Sequence, residues 1–285
     1  MNTTTLLAWN LRLQWLFSRA MSPARLEREI PSPWINYNQT PSKYLSEYVR
    51  NFKERACLKE LPFLIDLGLK EDSILYDYGC GLGRLAYAAS KFLGKNGKYI
   101  GYEPNAQALS FLKKAYCGRD NFKFYGEELS LEEDYVAVQL GKSRSGGKKS
   151  IDIKPQEHLG RVVDIQYSSS VVTHMWMESI SRLLENLNYV VKPDGYCVNT
   201  WLIIDDFAKY TLECRLADRA LPHIVRGAYT YSLENPLVCT AYDLDSVRNA
   251  YVKAGHEMVK ILWGSWSGRG NVVHYQDIVV SRPRA

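Results

Sequence analysis

From Ser73 onward, short apolar runs alternate with stretches whose apolar residues recur at helical spacing. The runs 74–77, 97–103, 121–125, 161–167, 196–204, 256–263 and 272–281 predict seven strands. Between them, 82–92, 104–116, 175–190 and 243–254 predict helices. Such alternation argues for an α/β fold with a doubly wound, mostly parallel sheet covered on both faces. The connection between the last two runs is too short for a crossover, so the last strand is expected to be antiparallel. Lys192-Pro-Asp-Gly195 reads as the turn before the fifth strand. Residues 205–242 show no clear period and read as a lid-like insertion after that strand.

The N-terminal part has a different pattern. Leu6 to Phe17 is apolar but carries Arg12. It is shorter than the roughly 20 residues a membrane span needs, and no basic residue precedes it as in a signal peptide. It predicts a helix packing on the body or on a second copy, with Trp9, Trp15 and Arg19 also suited to peripheral contact with a membrane surface. A Pro-rich connector from Ile30 follows. Residues 42–59 then predict a helix, with Ser42 able to cap it and Tyr44, Leu45, Tyr48, Phe52 and Ala56 at helical spacing. Residues 62–69 add a short helical piece. The expected division is an N-terminal helical arm or cap over 1–60 and one main domain over 61–285, with the insertion at 205–242.

Composition narrows the function classes. The net charge of +5 is mild for a chain of 285 residues, so nucleic acid is not the expected partner. Six scattered cysteines without a C-x-x-C pair predict neither a zinc site nor a disulfide framework. A reducing cytoplasm fits, and a monomer or homodimer is expected. The segment 140–150 is rich in glycine, serine and lysine. It reads as a mobile loop, with a phosphate-binding flap as the alternative.

The chemistry concentrates at Ile74-Leu-Tyr-Asp-Tyr-Gly-Cys-Gly-Leu-Gly83. Gly79, Gly81 and Gly83 fall at every second position between a strand and a helix. Glycine tolerates positive φ and lets a ligand approach the backbone, and the helix behind points free N–H groups at it. Gly81-Leu-Gly83-Arg-Leu-Ala86 also satisfies a dinucleotide pattern. That leaves a nicotinamide-dependent oxidoreductase open. Asp77 argues against it, since a carboxylate at the turn would repel a pyrophosphate and suits a cationic ligand.

Asp77-Tyr-Gly-Cys-Gly-Leu-Gly83 resembles the first motif of class I S-adenosylmethionine-dependent methyltransferases, which have a Rossmann-like fold. Ser170-Val-Val-Thr-His174 and Val191-Lys-Pro-Asp-Gly195 extend the resemblance, although Asp194 replaces a usual glycine. The tail Gly264-Ser-Trp-Ser-Gly-Arg269 with Tyr275-Gln-Asp-Ile-Val-Val280 is similar to a bacterial branch with a G-S-W-x-G-R and Y-Q-D-x-V-V pattern. The resemblance implies S-adenosyl-L-methionine as cofactor, S-adenosyl-L-homocysteine as product, and a hydroxyl on a sugar, glycan or small natural product as acceptor.

Under that resemblance Asp77, Gly79, Cys80, Gly81 and Gly83 form the cofactor turn. Glu103, about 20 residues beyond the glycines, can accept from both ribose hydroxyls, and Pro104 follows it. Glu128 is placed to reach the adenine, with Glu127 competing. Ser168 and Ser169 lie at the exit of the fourth strand. His174 is the leading candidate for a general base, with a structural histidine as the alternative. Asp205, His223 and His274 are further candidates at the acceptor. Trp266 could stack on a sugar and Arg269 grip an anion, or both could belong to a hairpin tip folded on its own body. No carboxylate cluster has divalent-metal spacing, so no metal is expected. RNA- and DNA-directed amino methyltransferases often carry an N/D-P-P-Y/F motif where this chain has Ser168-Ser-Ser-Val, which disfavours base N-methylation. A non-catalytic scaffold is disfavoured by the intact glycines and Glu103.

Overall fold

The computed structural model describes residues 10–18, 27–33, 35, 44–126 and 162–284. Eleven strands occur among them. They are β1 Ile74–Tyr78, β2 Lys98–Tyr102, β3 Phe122–Tyr125, β4 Val163–Ser168, β5 Val191–Trp201, β6 Ile203–Ile204, β7 His223–Val225, β8 Ala228–Thr230, β9 Thr240–Asp243, β10 His256–Leu262 and β11 Asp277–Pro283. Seven form one sheet, in the order β10-β11-β5-β4-β1-β2-β3. The β1–β4, β4–β5 and β2–β3 pairs are parallel, whereas β11 runs antiparallel to both β5 and β10. β1 is buried along nearly its whole length, as a parallel strand covered on both faces must be. By contact the chain divides into two compact units, 1–72 with 80–126 and 73–79 with 127–285.

The first unit holds helices α1 (10–18), α2 (Leu45–Arg55), α3 (Leu61–Asp66), α4 (Arg84–Phe92) and α5 (Ala106–Ala115). Leu11 and Trp15 lie four apart on α1 and pack with Ile30, Tyr48, Phe52 and Tyr87. Between α2 and α3 the chain widens into a π turn, Ala56–Glu60. Pro62 explains it, because a prolyl nitrogen cannot donate to the carbonyl four residues back. Ser42 lies outside the described residues. The first helical N–H of α2, on Leu45, instead donates to Gln14 Oε1 at 2.8 Å. Glu27 ties the N-terminal segment down through Lys53, Lys91 and the Tyr87 hydroxyl, at 2.6, 2.8 and 2.9 Å.

In the second unit, α6 (Met177–Leu187) and α8 (Leu244–Lys253) follow β4 and β9. Two expectations are corrected here. Lys192 to Gly195 is no turn before the strand but lies inside β5. Val163 pairs with Val191 and Ile165 with Tyr196, so four residues oppose Asp164 alone and are absorbed as a bulge. Lys192 Nζ fixes it by an ion pair to Asp164 Oδ1 at 2.6 Å. The last strand begins at Asp277 rather than Val272. The preceding segment is knitted into a turn by Ser265 N–H to His274 C=O and Trp266 N–H to Tyr275 C=O.

The insertion is structured. α7 (Asp206–Glu213) leads into a sheet of order β6-β9-β8-β7. β7 and β8 are joined by Arg226 and Gly227, both at positive φ, the conformation that matches a two-residue hairpin loop to strand twist. Strands of three residues are too short to show a period in the sequence. Leu202, Ile204, Ala208, Leu221, Cys239, Ala241 and Trp266 form the local core. Among the described residues no helix is long and apolar enough to cross a membrane.

Candidate functional site

The glycine turn follows β1 directly. Gly79, Gly81 and Gly83 have φ of 78°, 56° and 79°, a region that costs other residues strain. Two of the three are also sterically required. A Cβ on Gly79 would lie 2.4 Å from Val171 Cγ2, and one on Gly83 would lie 2.5 Å from Leu112 Cδ2. At Gly81 the same atom would meet none of the described residues within 4 Å. Of the three glycines, Gly81 is thus the one that the described residues leave open to a ligand. Cys80 turns inward, with its Sγ 2.8 Å from where a Gly101 Cβ would stand.

Glu103 follows β2 and is buried. Its Oε2 accepts the Gly81 N–H and its Oε1 the Asn105 N–H, both at 2.8 Å. Burial pushes its pKa up, against these two donors, which favour the carboxylate. Each oxygen has a second lone pair, so the carboxylate can accept further donors while holding the turn. Pro104 is half-buried beside it. Asn105 then caps α5 by accepting the Ala108 N–H. Glu128 and the 140–150 segment lie outside the described residues.

In the second unit Asp77 is buried near the end of β1. At the exit of β4, Ser168 is fully buried and donates to Asn199 Oδ1 at 2.6 Å, while Ser169 is half-buried. Ser170 has φ of 58°. Its N–H reaches Thr200 Oγ1 at 2.7 Å and its hydroxyl reaches Gln276 Oε1 at 2.9 Å. Thr200 Oγ1 also donates to Gln276 Oε1 at 2.7 Å. Asn199 and Thr200 were not singled out from sequence, and Gln276 entered only as part of the tail pattern. The signal of Asn199 and Thr200 was polarity at buried positions of an apolar strand, which usually means a required hydrogen bond.

His174 ends a short 3₁₀ turn, Val172–His174. Its Nδ1 lies 3.0 Å from the Leu237 carbonyl. A carbonyl only accepts, so in the neutral ring Nδ1 carries the hydrogen and Nε2 is the basic nitrogen. Burial lowers the pKa, opposed by the Leu237 and Val238 carbonyls and reinforced by the Arg219 charge. His174 is therefore neutral at neutral pH.

The remaining expected residues separate. Trp266 is fully buried, and its indole N–H donates to Asp277 Oδ2 at 2.7 Å. Arg269 pairs with Asp205 and lies over the rings of Phe207 and Trp263, each 4.4 Å from the centroid. Asp205 also caps α7 by accepting the Ala208 N–H. Trp266 and Arg269 are thus packed and paired against the insertion, to which Asp205 belongs. His274 Nδ1 accepts the Gln276 N–H at 3.1 Å, and His223 opens β7, half-buried. Asp277 holds the tail turn together, accepting from Gly264 N–H, Ile203 N–H and Trp266, each at 2.7 Å. Gly264 is obligatory there, since a Cβ would lie 2.3 Å from the Tyr275 carbonyl oxygen.

No family model matches the chain. Several solved structures do. The PH0226 protein from Pyrococcus horikoshii OT3 aligns with a TM-score of 0.51 and 10% identity, covering 88% of this chain and 95% of that one. A SAM-dependent methyltransferase from Methanosarcina mazei aligns with a TM-score of 0.50 and 13% identity, covering 78% and 97%. A SAM-dependent methyltransferase from Aquifex aeolicus is 18% identical over 80% and 92%, with a TM-score of 0.48. With the sheet order and the antiparallel last strand, the first two likenesses place the chain in the Rossmann-like α/β fold found among class I methyltransferases.

Proposed function

We propose that the protein is an S-adenosylmethionine-dependent methyltransferase that acts on a hydroxyl of a sugar, glycan or small natural product. The observation that carries this reading is the turn at 77–83. Its three glycines have positive φ, Gly81 is open on its outer side, and Glu103 is bonded to the Gly81 N–H. A carboxylate that keeps acceptor capacity beside an open backbone position fits a ribose with two hydroxyls. Asp77, at the start of the same turn in the chain, suits the positive charge of the cofactor rather than a pyrophosphate. The cofactor residues are then Asp77, Gly79, Cys80, Gly81, Gly83, Glu103, Pro104, Ser168 and Ser169, with Glu128 a further candidate.

When bound, S-adenosylmethionine supplies a methyl group on a sulfonium, which is left as the neutral thioether of S-adenosylhomocysteine. The chain's own part is to hold the acceptor in line and take its proton. Fixing that geometry alone can supply several kcal/mol. His174 is the base: as the acceptor oxygen gains the methyl, its proton passes to Nε2, while Leu237 holds the ring by Nδ1–H.

Calorimetric titration with S-adenosylhomocysteine and with NADH tests the cofactor. The first should bind and the second should not, and Asp77→Lys or Glu103→Ala should weaken binding at least about tenfold. No binding to the wild type, or full affinity in both variants, would sink the assignment. His174→Ala should abolish most turnover at unchanged S-adenosylhomocysteine affinity; undiminished turnover removes it from the mechanism.

A further inference from the structure

Arg219 lies on the loop between α7 and β7 and is half-buried. The Tyr275 phenol and the Cys239 thiol are the polar groups whose charge and hydrogen bonding act on its guanidinium. Among the described residues no carboxylate is ion-paired with it. Some other cations of the same unit have such partners, as Arg269 has Asp205, Lys192 has Asp164 and Arg226 has Glu178. A guanidinium has five donors, so one phenol and one thiol leave others for water or a ligand. Its named neighbours are a phenol and a thiol rather than a carboxylate, and its exposed half is open to an anion from outside the described chain.

The fold also fixes where Arg219 stands. The Trp266 peptide is bonded on both sides, accepting the Asp218 N–H at 3.0 Å and donating to the Tyr275 carbonyl at 3.0 Å. One buried residue thereby anchors the neighbour of Arg219 and the backbone of Tyr275. His174 is bonded to Leu237, two residues before Cys239. The Arg219 charge is felt at the His174 ring, and Tyr275 keeps part of its ring exposed beside the guanidinium.

We infer that Arg219 is the anion-binding residue of the acceptor site, so that the acceptor is a hydroxylated molecule bearing a carboxylate or a phosphate. Calling it the acceptor site rests on the methyltransferase reading above; the anion site itself does not. The planar fork of arginine matches both oxyanions through paired hydrogen bonds. Tyr275 offers an aromatic face to the body of the same molecule.

The test reads the His174 ring by NMR, its signal identified among the five histidines by its loss in His174→Gln. Sulfate, standing for phosphate, and acetate, standing for carboxylate, are titrated separately against chloride at equal ionic strength. A bound anion cancels the Arg219 charge, so one of the two should raise the His174 pKa saturably while chloride does not. In Arg219→Gln the His174 pKa should start higher, and affinity for the responding anion should fall at least about tenfold. Arg219→Lys should keep a weaker response, which separates loss of the charge from misfolding. No saturable response to either anion beyond chloride, or an equal response in Arg219→Gln, overturns the inference. S-adenosylhomocysteine affinity, measured on the same samples, should be unchanged in both variants. If the wild type does not bind it, the methyltransferase reading fails while the anion result still decides the site.

Discussion

Asp277 gives the sharpest test of how this chain is held together. The side chain is fully buried and accepts three hydrogen bonds, from the Gly264 and Ile203 amides and the Trp266 indole. Burial opposes its ionisation and the three donors, with Arg269, favour it; burial prevails and its pKa rises from 3.8 to about 6. That rise is worth about 3 kcal/mol. Its sign follows from the proton balance. Below 3.8 the group is protonated in folded and unfolded chains alike. Between 3.8 and about 6 only the unfolded chain ionises, and stability falls as pH rises. Above that range both states are ionised and the loss is complete. Asp277→Asn cannot titrate, and its single carbonyl oxygen leaves at least one donor facing an NH₂ group, at a cost of about 1–3 kcal/mol. The variant should therefore be clearly weaker than the wild type at about pH 4, and the gap should shrink by about 2–3 kcal/mol by about pH 8. Other titrating groups cancel in the difference. Urea unfolding followed by tryptophan fluorescence, with equal m-values in both proteins, measures it. A gap that stays constant or widens with pH would mean that the donors outweigh burial, and the reasoning would be wrong.

Gly79→Ala places a methyl 2.4 Å from Val171 Cγ2 at a φ of 78°, so strain and overpacking together should cost about 2–5 kcal/mol in urea unfolding. Gly81→Ala meets open space, so it should cost only about 1 kcal/mol of stability while weakening S-adenosylhomocysteine binding. Glu103 has a raised pKa, so S-adenosylhomocysteine affinity measured by calorimetry should fall on acidification at a higher pH than an ordinary glutamate would give. Glu27 is held down to about 2 by Lys53, Lys91 and Tyr87 against burial, which raises it. Its contribution is present above the usual 4.5 and lost as pH falls toward 2. Being partly exposed and screened, it should cost only about 1–2 kcal/mol of thermal stability at neutral pH in Glu27→Gln.

What could be read from sequence was local. The periods of two and 3.6 located the seven strands of the main sheet and the helices among them, because side-chain alternation follows from backbone geometry. The alternating glycines marked positive φ at 79, 81 and 83, since few other residues accept it. The short link between the last two strands required them to be antiparallel. The bulge in β5 was hidden, because Lys192-Pro-Asp-Gly195 has turn composition and only its pairing partner Asp164 shows that it stays in the strand. The insertion was hidden because its strands are too short to carry a period.

The tail shows the division most clearly. Gly264, Trp266, Arg269, Gln276 and Asp277 stand out as a pattern, but composition cannot say whether a tryptophan and an arginine face a ligand or their own chain. Their partners are Asp205, Ile203, Ser170 and Thr200, between 64 and 106 residues away for the side-chain bonds of Arg269, Asp277, Gln276 and Thr200. Sequence alone determined the strand–turn–helix at Ile74 to Phe92 and the carboxylate at its side, because those features depend on neighbours along the chain. Tertiary structure alone decided that Trp266 is core, that Arg269 is paired with Asp205, and that the Arg219 charge reaches His174 without a paired carboxylate among the described residues. Burial and charge pairing are set by which distant segments meet, and no local pattern encodes that.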